Sequence, residues 1–236
     1  MQKLKFEFRP SWLGIIMTAL AVTVFTALAV WQLSRADERN LLREQVLSRS
    51  QLPVKQYDAA KIDFNKDRYR RFMISGKFHE SGQVLLDNVV RHGKPGYSIL
   101  TPFSTNQGAK VMVDRGWIPA GRSRDQVPDA VIETGQQELL VMLDQFRSAP
   151  VIGVEARADK GRWNYMDLDL YNGTTGLNVP AYVLRLSPES NIGYEKAWPE
   201  IEDKSGMHIG YAIHWAAFAL IALGTFLGLS FKRKTS

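Results

Sequence analysis

The sequence has 236 residues, a formal net charge of +6 and no cysteine, so it cannot form disulfides, zinc ribbons, copper thiolate sites or a covalent c-type haem. Its mean hydropathy of −0.20 is typical of a soluble protein, but this average conceals two long apolar stretches. Most of the net positive charge lies in two short tails, because residues 1–9 carry a net +2 and residues 232–236 carry a net +3. The near-neutral remainder has no electrostatic footprint for nucleic acid, which is therefore not a predicted partner.

Two uncharged stretches are each long enough to cross a bilayer as a helix. The first runs over residues 10–34, and the second runs over residues 209–231, where His214 is the one side chain that could carry a charge at neutral pH. A helix of the second length spans about 34 Å, against about 30 Å for the hydrocarbon core of a membrane. The sequence therefore predicts transmembrane helices over residues 12–33 and 208–231.

The charges of the tails predict the orientation of these helices. Short basic tails stay in the cytoplasm while a long intervening domain is translocated, so residues 1–11 and 232–236 are predicted to be cytoplasmic tails. The apolar stretch starts too early for an organellar presequence, which favours a bacterial inner membrane and a periplasmic central domain. A cleaved signal peptide is the alternative for the first stretch, because a basic leader precedes it and Ala27-Leu28-Ala29 is similar to a cleavage site.

Between the apolar stretches the pattern changes from helical to extended. Helical spacing of leucine and valine continues through residues 34–52, which predicts a juxtamembrane helix that Pro53 ends. Residues 53–207 then contain seven short segments that are rich in β-branched and aromatic residues and bounded by turn-forming residues. These segments are Tyr69–Phe78, Val84–Leu86, Tyr97–Phe103, Lys110–Arg115, Glu138–Phe146, Arg162–Met166 and Ala181–Leu186. With a helical turn or two in 167–177, they predict a mostly antiparallel, β-rich extracytoplasmic domain, folded as a barrel or a sandwich.

The sequence offers little that an enzyme would need. It has no HExxH motif, no nucleophile elbow and no phosphate-binding glycine loop. Asp167 and Asp169 could form a carboxylate pair, but such a pair more often caps a turn. The central domain is therefore predicted to bind or to act as a scaffold, and the protein is predicted not to be an enzyme.

The second apolar stretch opens with a histidine. Helical offsets of three and seven residues place His208, Tyr211 and Trp215 on one face, whereas His214 lies about 120° away around the helix. Imidazole is a common axial ligand of haem iron, and an interfacial histidine could hold an amphiphilic porphyrin. The same three residues could also serve only as interfacial anchors. Residue spacing alone leaves both interpretations open.

Two further patterns concern the helices themselves. Gly224 and Gly228 on the second stretch, and Ala19, Thr23 and Ala27 on the first, form small-residue stripes that are predicted to meet, because small residues let membrane helices approach closely. Arg35, Arg39 and Arg43 form an i, i+4 stripe beyond the first stretch. That stripe is either a solvated face or a place to hold lipid phosphates or an acidic ligand group.

Several short motifs recur in a particular order along the chain. They are Trp31-Gln32 with Arg35, Gly76-Lys77-Phe78, Gly96-Tyr97, Thr101-Pro102-Phe103, Val111 to Pro119 with Arg115-Gly116-Trp117 at its centre, Trp163-Asn164-Tyr165-Met166-Asp167, and His208 with Tyr211 and Trp215. Their order and spacing, framed by two apolar stretches, resemble the surfeit locus protein 1 family, the assembly factors of haem–copper cytochrome c oxidase. Asp114 stands where the family pattern has Asn, and Ile209 stands where it has Leu.

This resemblance implies a function and a set of site residues. It implies that the protein binds haem a and aids its insertion into the oxidase catalytic subunit, with His208 as the haem-iron ligand and Tyr211 and Trp215 beside it. Arg35 is a candidate counter-charge for the haem propionates, or it extends to the membrane interface. Implied partners are the catalytic subunit, haem a synthase and membrane lipids. The alternative is a non-haem chaperone that stabilises an oxidase subunit.

The resemblance leaves other residues without a functional assignment. His214 has no counterpart in the family pattern and is predicted to be a packing residue. The remaining signature residues have no assigned role at this stage: Trp31, Gln32, Thr101, Pro102, Arg115, Gly116, Trp117, Trp163, Tyr165 and Asp167.

Overall fold

The computed structural model describes residues 6–121, 128–147, 153, 155–157, 161–196, 198 and 205–233. The chain divides into two compact units, a helical unit (Met1–Glu44 with Ile201–Ser236) and a barrel unit (Gln45–Glu200). The basic residues Lys3, Lys5 and Lys234 of the predicted tails lie outside the described residues.

The described elements are four α-helices, one 3₁₀ turn at Ala59–Lys61 and ten strands. The helices are α1 (Trp12–Ser50), α2 (Phe64–Asp67), α3 (Leu168–Thr175) and α4 (Ser205–Ser230). The strands are β1 (Phe6–Phe8), β2 (Lys55–Gln56), β3 (Arg71–Phe78), β4 (Val84–Arg91), β5 (Lys94–Thr105), β6 (Lys110–Pro119), β7 (Gln137–Asp144), β8 (Arg162–Trp163), β9 (Val183–Leu186) and β10 (Phe231–Arg233).

The helical unit contains two helices that are long and apolar enough to cross a membrane, α1 and α4. One continuous helix of 39 residues covers both the predicted first transmembrane segment and the predicted juxtamembrane segment. Strands β1 and β10 pair in antiparallel fashion, with Phe8 opposite Phe231. This pairing brings the start of α1 next to the end of α4, so the two helices run in opposite directions.

Large aromatic side chains, not small residues, join the two helices. Phe25 of α1 stacks on Trp215 of α4 at a ring-centroid distance of 5.8 Å and an interplanar angle of 22°. Phe25 also lies 5.8 Å from the ring of Phe218. A Cβ added to Gly224 or Gly228 would meet nothing within 4 Å. The prediction that the small-residue stripes meet is therefore wrong, because bulky rings hold the helices apart.

The barrel unit is built around a closed ring of five strands. The order around the ring is β3-β7-β9-β6-β5, and pairing of β3 with β5 closes it. The ring pairs are antiparallel except for the parallel pair β6–β9. Strand β4 extends the sheet beyond β5, and the short strands β8 and β2 lie at its edges. A strand lies in each of the seven predicted segments, and the closed ring identifies the fold as a barrel rather than a sandwich.

Closure of the ring requires a glycine at one point. Gly76 of β3 pairs with Thr105 of β5. A Cβ at Gly76 would lie 1.9 Å from the carbonyl oxygen of Ser104, so only a residue without a side chain allows the two backbones to come this close. This contact gives a structural reason for Gly76 in the signature Gly76-Lys77-Phe78.

Hydrophobic residues fill the barrel and also cover part of its outer surface. Alternate residues of each strand point inward, among them Ile74, Phe103, Val113 and Leu184, all of which are buried. A second cluster lies outside the ring and contains Leu100, Met112, Trp163, Tyr171 and Val183. Helix α3 contributes Tyr171 to this outer layer, and the side chain of Asp167 caps that helix by accepting a hydrogen bond from the backbone N–H of Leu170 at 3.0 Å.

Candidate functional site

A groove in the helical unit surrounds one side of His208. Its volume is about 360 Å³, and its walls combine apolar, cationic and anionic side chains. The lining residues are Trp31, Arg35, Glu38, Arg39 and Leu42 of α1 and His208 of α4. Positions 31, 35, 38, 39 and 42 follow the i, i+3 and i+4 spacing of one helical face, which explains why they line one groove.

The half-buried imidazole of His208 is fixed by a hydrogen bond from one helix to the other. Its Nδ1–H donates to the side-chain oxygen of Gln32 at 2.7 Å. This bond holds the ring in the tautomer whose Nε2 carries a lone pair. Among the described residues, Nε2 has no hydrogen-bond partner. The arrangement leaves one nitrogen of a fixed imidazole available to a ligand.

Two arginines of the groove differ in how they are paired. Arg35 forms an ion pair with Glu38 at 2.6 Å, and its guanidinium lies 5.7 Å from the centre of the Trp31 ring. Arg39 forms no hydrogen bond or ion pair with the residues that the structure describes, so its charge is available to an anion. The arginine stripe in the sequence pointed to this face, but only the structure distinguishes Arg39 from Arg35.

Tyr211 and Trp215 follow His208 along α4, but they are not among the described residues that line the groove. The Tyr211 side chain is exposed. Trp215 packs between the helices on Phe25 and Phe218. His214 is exposed as well, and its Nδ1–H donates to the carbonyl of Gly210 in its own helix at 2.7 Å. His214 was predicted to be a packing residue, but its side chain is exposed.

In the barrel unit, Arg115 is buried completely. Its terminal nitrogens donate to Gln83 Oε1 at 3.0 Å, to Thr101 Oγ1 at 3.3 Å and to the carbonyl of Val131 at 2.7 Å, and they also pair with the Glu133 carboxylate. The rings of Phe78 and Tyr194 lie 5.1 and 5.4 Å from the guanidinium carbon. A buried cation enclosed in this way ties β6 to the loop that precedes β7.

The next two signature residues join β6 to residues 194–195. Gly116 has φ of +110°, and a Cβ there would lie 2.7 Å from the carbonyl oxygen of Glu195. Trp117 and Glu195 exchange backbone hydrogen bonds of 2.8 and 3.1 Å. The indole N–H of Trp117 donates to the carbonyl of Val89 at 2.7 Å. The contacts of Arg115-Gly116-Trp117 are thus contacts within the fold.

The other barrel signature residues also have local structural contacts. The Thr101 hydroxyl donates to Gln83 Oε1 at 2.8 Å within the Arg115 network, and Pro102 lies in β5 opposite Met112. Trp163 packs edge-on against Tyr171 at a centroid distance of 6.0 Å. Tyr165 is half-buried in the same outer cluster. Asp167 caps α3, which is the turn-capping role that the sequence offered as the alternative to a carboxylate pair.

Comparison with known proteins agrees with the motifs. The model of the SURF1 family matches residues 19–220, which covers both the helical face around the groove and the whole barrel. The chain belongs to the SURF1 family.

Individual relatives extend this match. The chain is 22% identical over 223 residues to a SURF1-like protein of Rickettsia felis, covering 87% of this chain and 91% of that one. It is 25% identical over 188 residues to surfeit locus protein 1 of Gallus gallus, covering 70% and 59% respectively. An uncharacterised SURF1-like protein of Mycobacterium tuberculosis is 32% identical over 127 residues, and that match spans about half of each chain, 50% of this one and 46% of the relative.

Proposed function

We propose that the protein is a membrane-anchored assembly factor of haem–copper cytochrome c oxidase, that it binds haem a as cargo through His208, and that it aids insertion of the haem into the catalytic subunit. The observation that carries this proposal is the His208–Gln32 hydrogen bond of 2.7 Å, which orients an imidazole at the edge of a groove and leaves Nε2 unoccupied. In haem proteins, the ligating histidine commonly donates its other ring N–H to a neighbouring acceptor in this way.

The residues around His208 suit an amphiphilic, dianionic porphyrin. Trp31 and Leu42 offer apolar surface, and the cations Arg35 and Arg39 lie on the same wall and can pair with propionates. Arg39 is the better candidate because Arg35 already pairs with Glu38. If haem were bound, its iron could accept the imidazole nitrogen of His208 as a ligand. A single protein ligand in an open groove also suits cargo that must leave again.

The orientation in the membrane is part of the same proposal. In this proposal, both tails lie in the cytoplasm and the barrel unit lies in the periplasm of a bacterium. Pairing of β1 with β10 supports a common side for the two tails, and their lysines and arginines favour the cytoplasm. A reporter fused after residue 236 is expected to be cytoplasmic and one fused near Gly121 periplasmic. A cytoplasmic signal from the Gly121 fusion would contradict this orientation.

The central test is the absorption spectrum of the purified protein. The full chain is purified in detergent from cells that make haem a, together with His208→Ala and the matched control His214→Ala. We expect haem a to co-purify with the wild type and with His214→Ala, and to be lost from His208→Ala while insertion and folding are retained. His214 is a suitable control because it lies on the same helix, and its side chain forms a hydrogen bond to the backbone carbonyl of Gly210 in that helix.

Other outcomes of this test distinguish the alternatives. A full haem spectrum in His208→Ala and its loss in His214→Ala would show that the ligand has been assigned to the wrong residue. No haem in any sample, combined with co-purification of an oxidase subunit, would favour the non-haem chaperone. In that case His208 and Gln32 would serve only to join α1 to α4.

A further inference from the structure

A second cavity lies on the outer surface of the barrel, and nothing in the SURF1 assignment accounts for it. It is an open cleft of about 530 Å³, within the range of small-ligand sites. Its floor follows neighbouring strands of the sheet, because Leu100 pairs with Asp114 and Asp114 pairs with Arg185. Asp144 and Arg68 continue the floor beyond β9. We call this cavity the outer cleft.

The charged side chains of the floor form a connected chain. Arg185 donates from Nη1 to Asp114 at 3.3 Å and from Nε to Asp144 at 2.8 Å. Arg68 donates from Nε to the other oxygen of Asp144 at 3.1 Å. Both aspartates are buried, and their side-chain oxygens face these donors. The chain holds two guanidinium groups at fixed positions at the bottom of the outer cleft.

These arginines have more donors than the floor uses. A guanidinium has five N–H donors. Within the part of the chain that the structure describes, Arg185 donates to the aspartates from Nε and Nη1, and Arg68 donates to Asp144 from Nε alone, with its guanidinium 4.5 Å from the centre of the Tyr69 ring. The aspartate oxygens are already occupied, since Asp114 Oδ1 also accepts from the Ser98 hydroxyl at 2.8 Å and from the backbone N–H of Gly116 at 3.0 Å. The remaining N–H groups of Arg68 and Arg185 are therefore available to an acceptor from outside the fold.

Apolar side chains form part of the walls of the outer cleft, beside the polar or charged side chains of Arg91, Ser98, Gln145 and Arg147. Leu86 and Val89 come from β4, and Phe146 follows the end of β7. A ligand that satisfied the arginines while lying against these walls would need an anionic head and an apolar body. Arginine pairs well with the planar geometry of a carboxylate. The four arginines that line the outer cleft, Arg68, Arg91, Arg147 and Arg185, outnumber its two aspartates, which favours an anionic ligand.

We propose that the outer cleft binds a small amphiphilic carboxylate, with its head on Arg68 and Arg185 and its apolar body against Leu86, Val89 and Phe146. This site lies wholly within the barrel unit and is independent of haem and of His208. Removing Arg68 leaves Asp144 paired with Arg185, so Arg68→Gln is expected to fold.

The test uses the full chain in nanodiscs and ligand-observed saturation-transfer NMR, with empty nanodiscs as the blank. The probes are 4-phenylbutyrate, its neutral analogue 4-phenylbutyramide, and phenyl phosphate. We expect 4-phenylbutyrate to bind and the amide to bind about tenfold more weakly, because only the carboxylate gains charge-assisted hydrogen bonds. Equal binding of the amide, or tighter binding of phenyl phosphate, would overturn the assignment of a carboxylate site.

Two pairs of variants locate the binding. Val89→Trp fills the outer cleft without touching its ion pairs, and Val90→Trp is its control because Val90 is the adjacent, exposed residue of β4. Arg68→Gln removes donors from the floor, and Arg157→Gln is its exposed control. We expect about tenfold weaker binding of 4-phenylbutyrate to Val89→Trp and Arg68→Gln and unchanged binding to the two controls. Wild-type affinity in both test variants would show that the outer cleft is not the site.

Discussion

Arg115 of the barrel unit and His208 of the helical unit differ in how many of their nitrogens are bonded within the protein. In the barrel, Arg115 is fully buried and its terminal nitrogens have four acceptors. In the helical unit, His208 is only half-buried, and the bond to Gln32 occupies one of its two nitrogens. The first arrangement stabilises a fold and has no terminal nitrogen to spare, whereas the second keeps an atom available for binding.

Signature residues of one family can therefore have different physical roles. Arg115, Gly116 and Trp117 contact only other parts of the barrel unit, so changing them is expected to change stability first. Gln32 and His208 form a hydrogen bond between two helices at the edge of a groove, so changing them is expected to change binding first. Substitutions in the two units should therefore separate an effect on stability from an effect on binding.

Replacing Arg115 is expected to have the largest effect. Arg115→Leu leaves the Glu133 carboxylate without its partner and should lower the free energy of unfolding by about 3–5 kcal/mol. Chemical denaturation of the full chain in detergent measures this loss. The double variant Arg115→Leu/Glu133→Gln should recover part of the stability, since no unpaired charge remains. The control is Lys61→Gln, which removes the exposed Lys61–Asp58 pair and should leave the unfolding midpoint unchanged.

Gly116→Ala should come next. Its φ of +110° strains any residue with a side chain, and the new Cβ would clash with the carbonyl of Glu195. The two effects together predict a loss of about 3 kcal/mol in the free energy of unfolding. Gly108→Ala separates them, because Gly108 also has a positive φ of +85° but open space around it. Equal losses at the two glycines would show that the contact with Glu195 contributes nothing.

Gln32 should affect the binding of haem more than the stability of the protein, on the proposed function. Gln32→Leu removes the acceptor that orients His208 and should weaken haem retention about tenfold or more. Gln32→Glu should retain haem and lower its reduction potential, because a carboxylate acceptor makes the imidazole a stronger electron donor. Haem titration and spectroelectrochemistry measure the two effects. An unchanged potential in Gln32→Glu would show that Gln32 serves only to join the helices.

Alkaline pH should destabilise the barrel unit through its buried tyrosines. The Tyr171 hydroxyl donates to the carbonyl of Gly82 at 2.7 Å, and burial raises its pKa to about 12. The folded state therefore holds this proton more tightly than the unfolded chain, whose tyrosine pKa is about 10. The resulting stability is complete below about pH 10 and is lost as the pH rises towards about 12. Unfolding free energies across this interval should fall less steeply in Tyr171→Phe than in the wild type, and equal slopes would contradict this.

The smallest effect is expected at Gly224. Because a Cβ there would meet nothing within 4 Å, Gly224→Leu should neither separate the helices nor lower stability. Trp215→Ala is the matched comparison, since it removes the ring that stacks on Phe25. Crosslinking between cysteines introduced on α1 and α4 reports on helix pairing in each background. A greater loss of crosslinking in Gly224→Leu than in Trp215→Ala would restore the small-residue interface.

The order and type of the main elements could be predicted from the sequence. Two apolar stretches long enough to span a membrane predicted α1 and α4, because length and hydropathy are local properties of the chain. Alternating β-branched and aromatic residues predicted the seven segments in which strands are found, for the same reason. The motifs also identified the family, and the resemblance to that family singled out His208.

The contacts between residues distant in the chain could not be predicted from the sequence. The bond between Gln32 and His208 joins residues 176 positions apart, and closure of the ring by Gly76 against Ser104 depends on how close two backbones approach. The small-residue stripes misled the prediction of helix packing because a local pattern does not reveal that Phe25 and Trp215 keep the helices apart. Arg115 and Arg68 look alike as residues in a chain. In the folded protein, Arg115 is buried and its terminal nitrogens are bonded to the barrel. Arg68 donates only from Nε to Asp144, so its terminal N–H groups are available to a ligand.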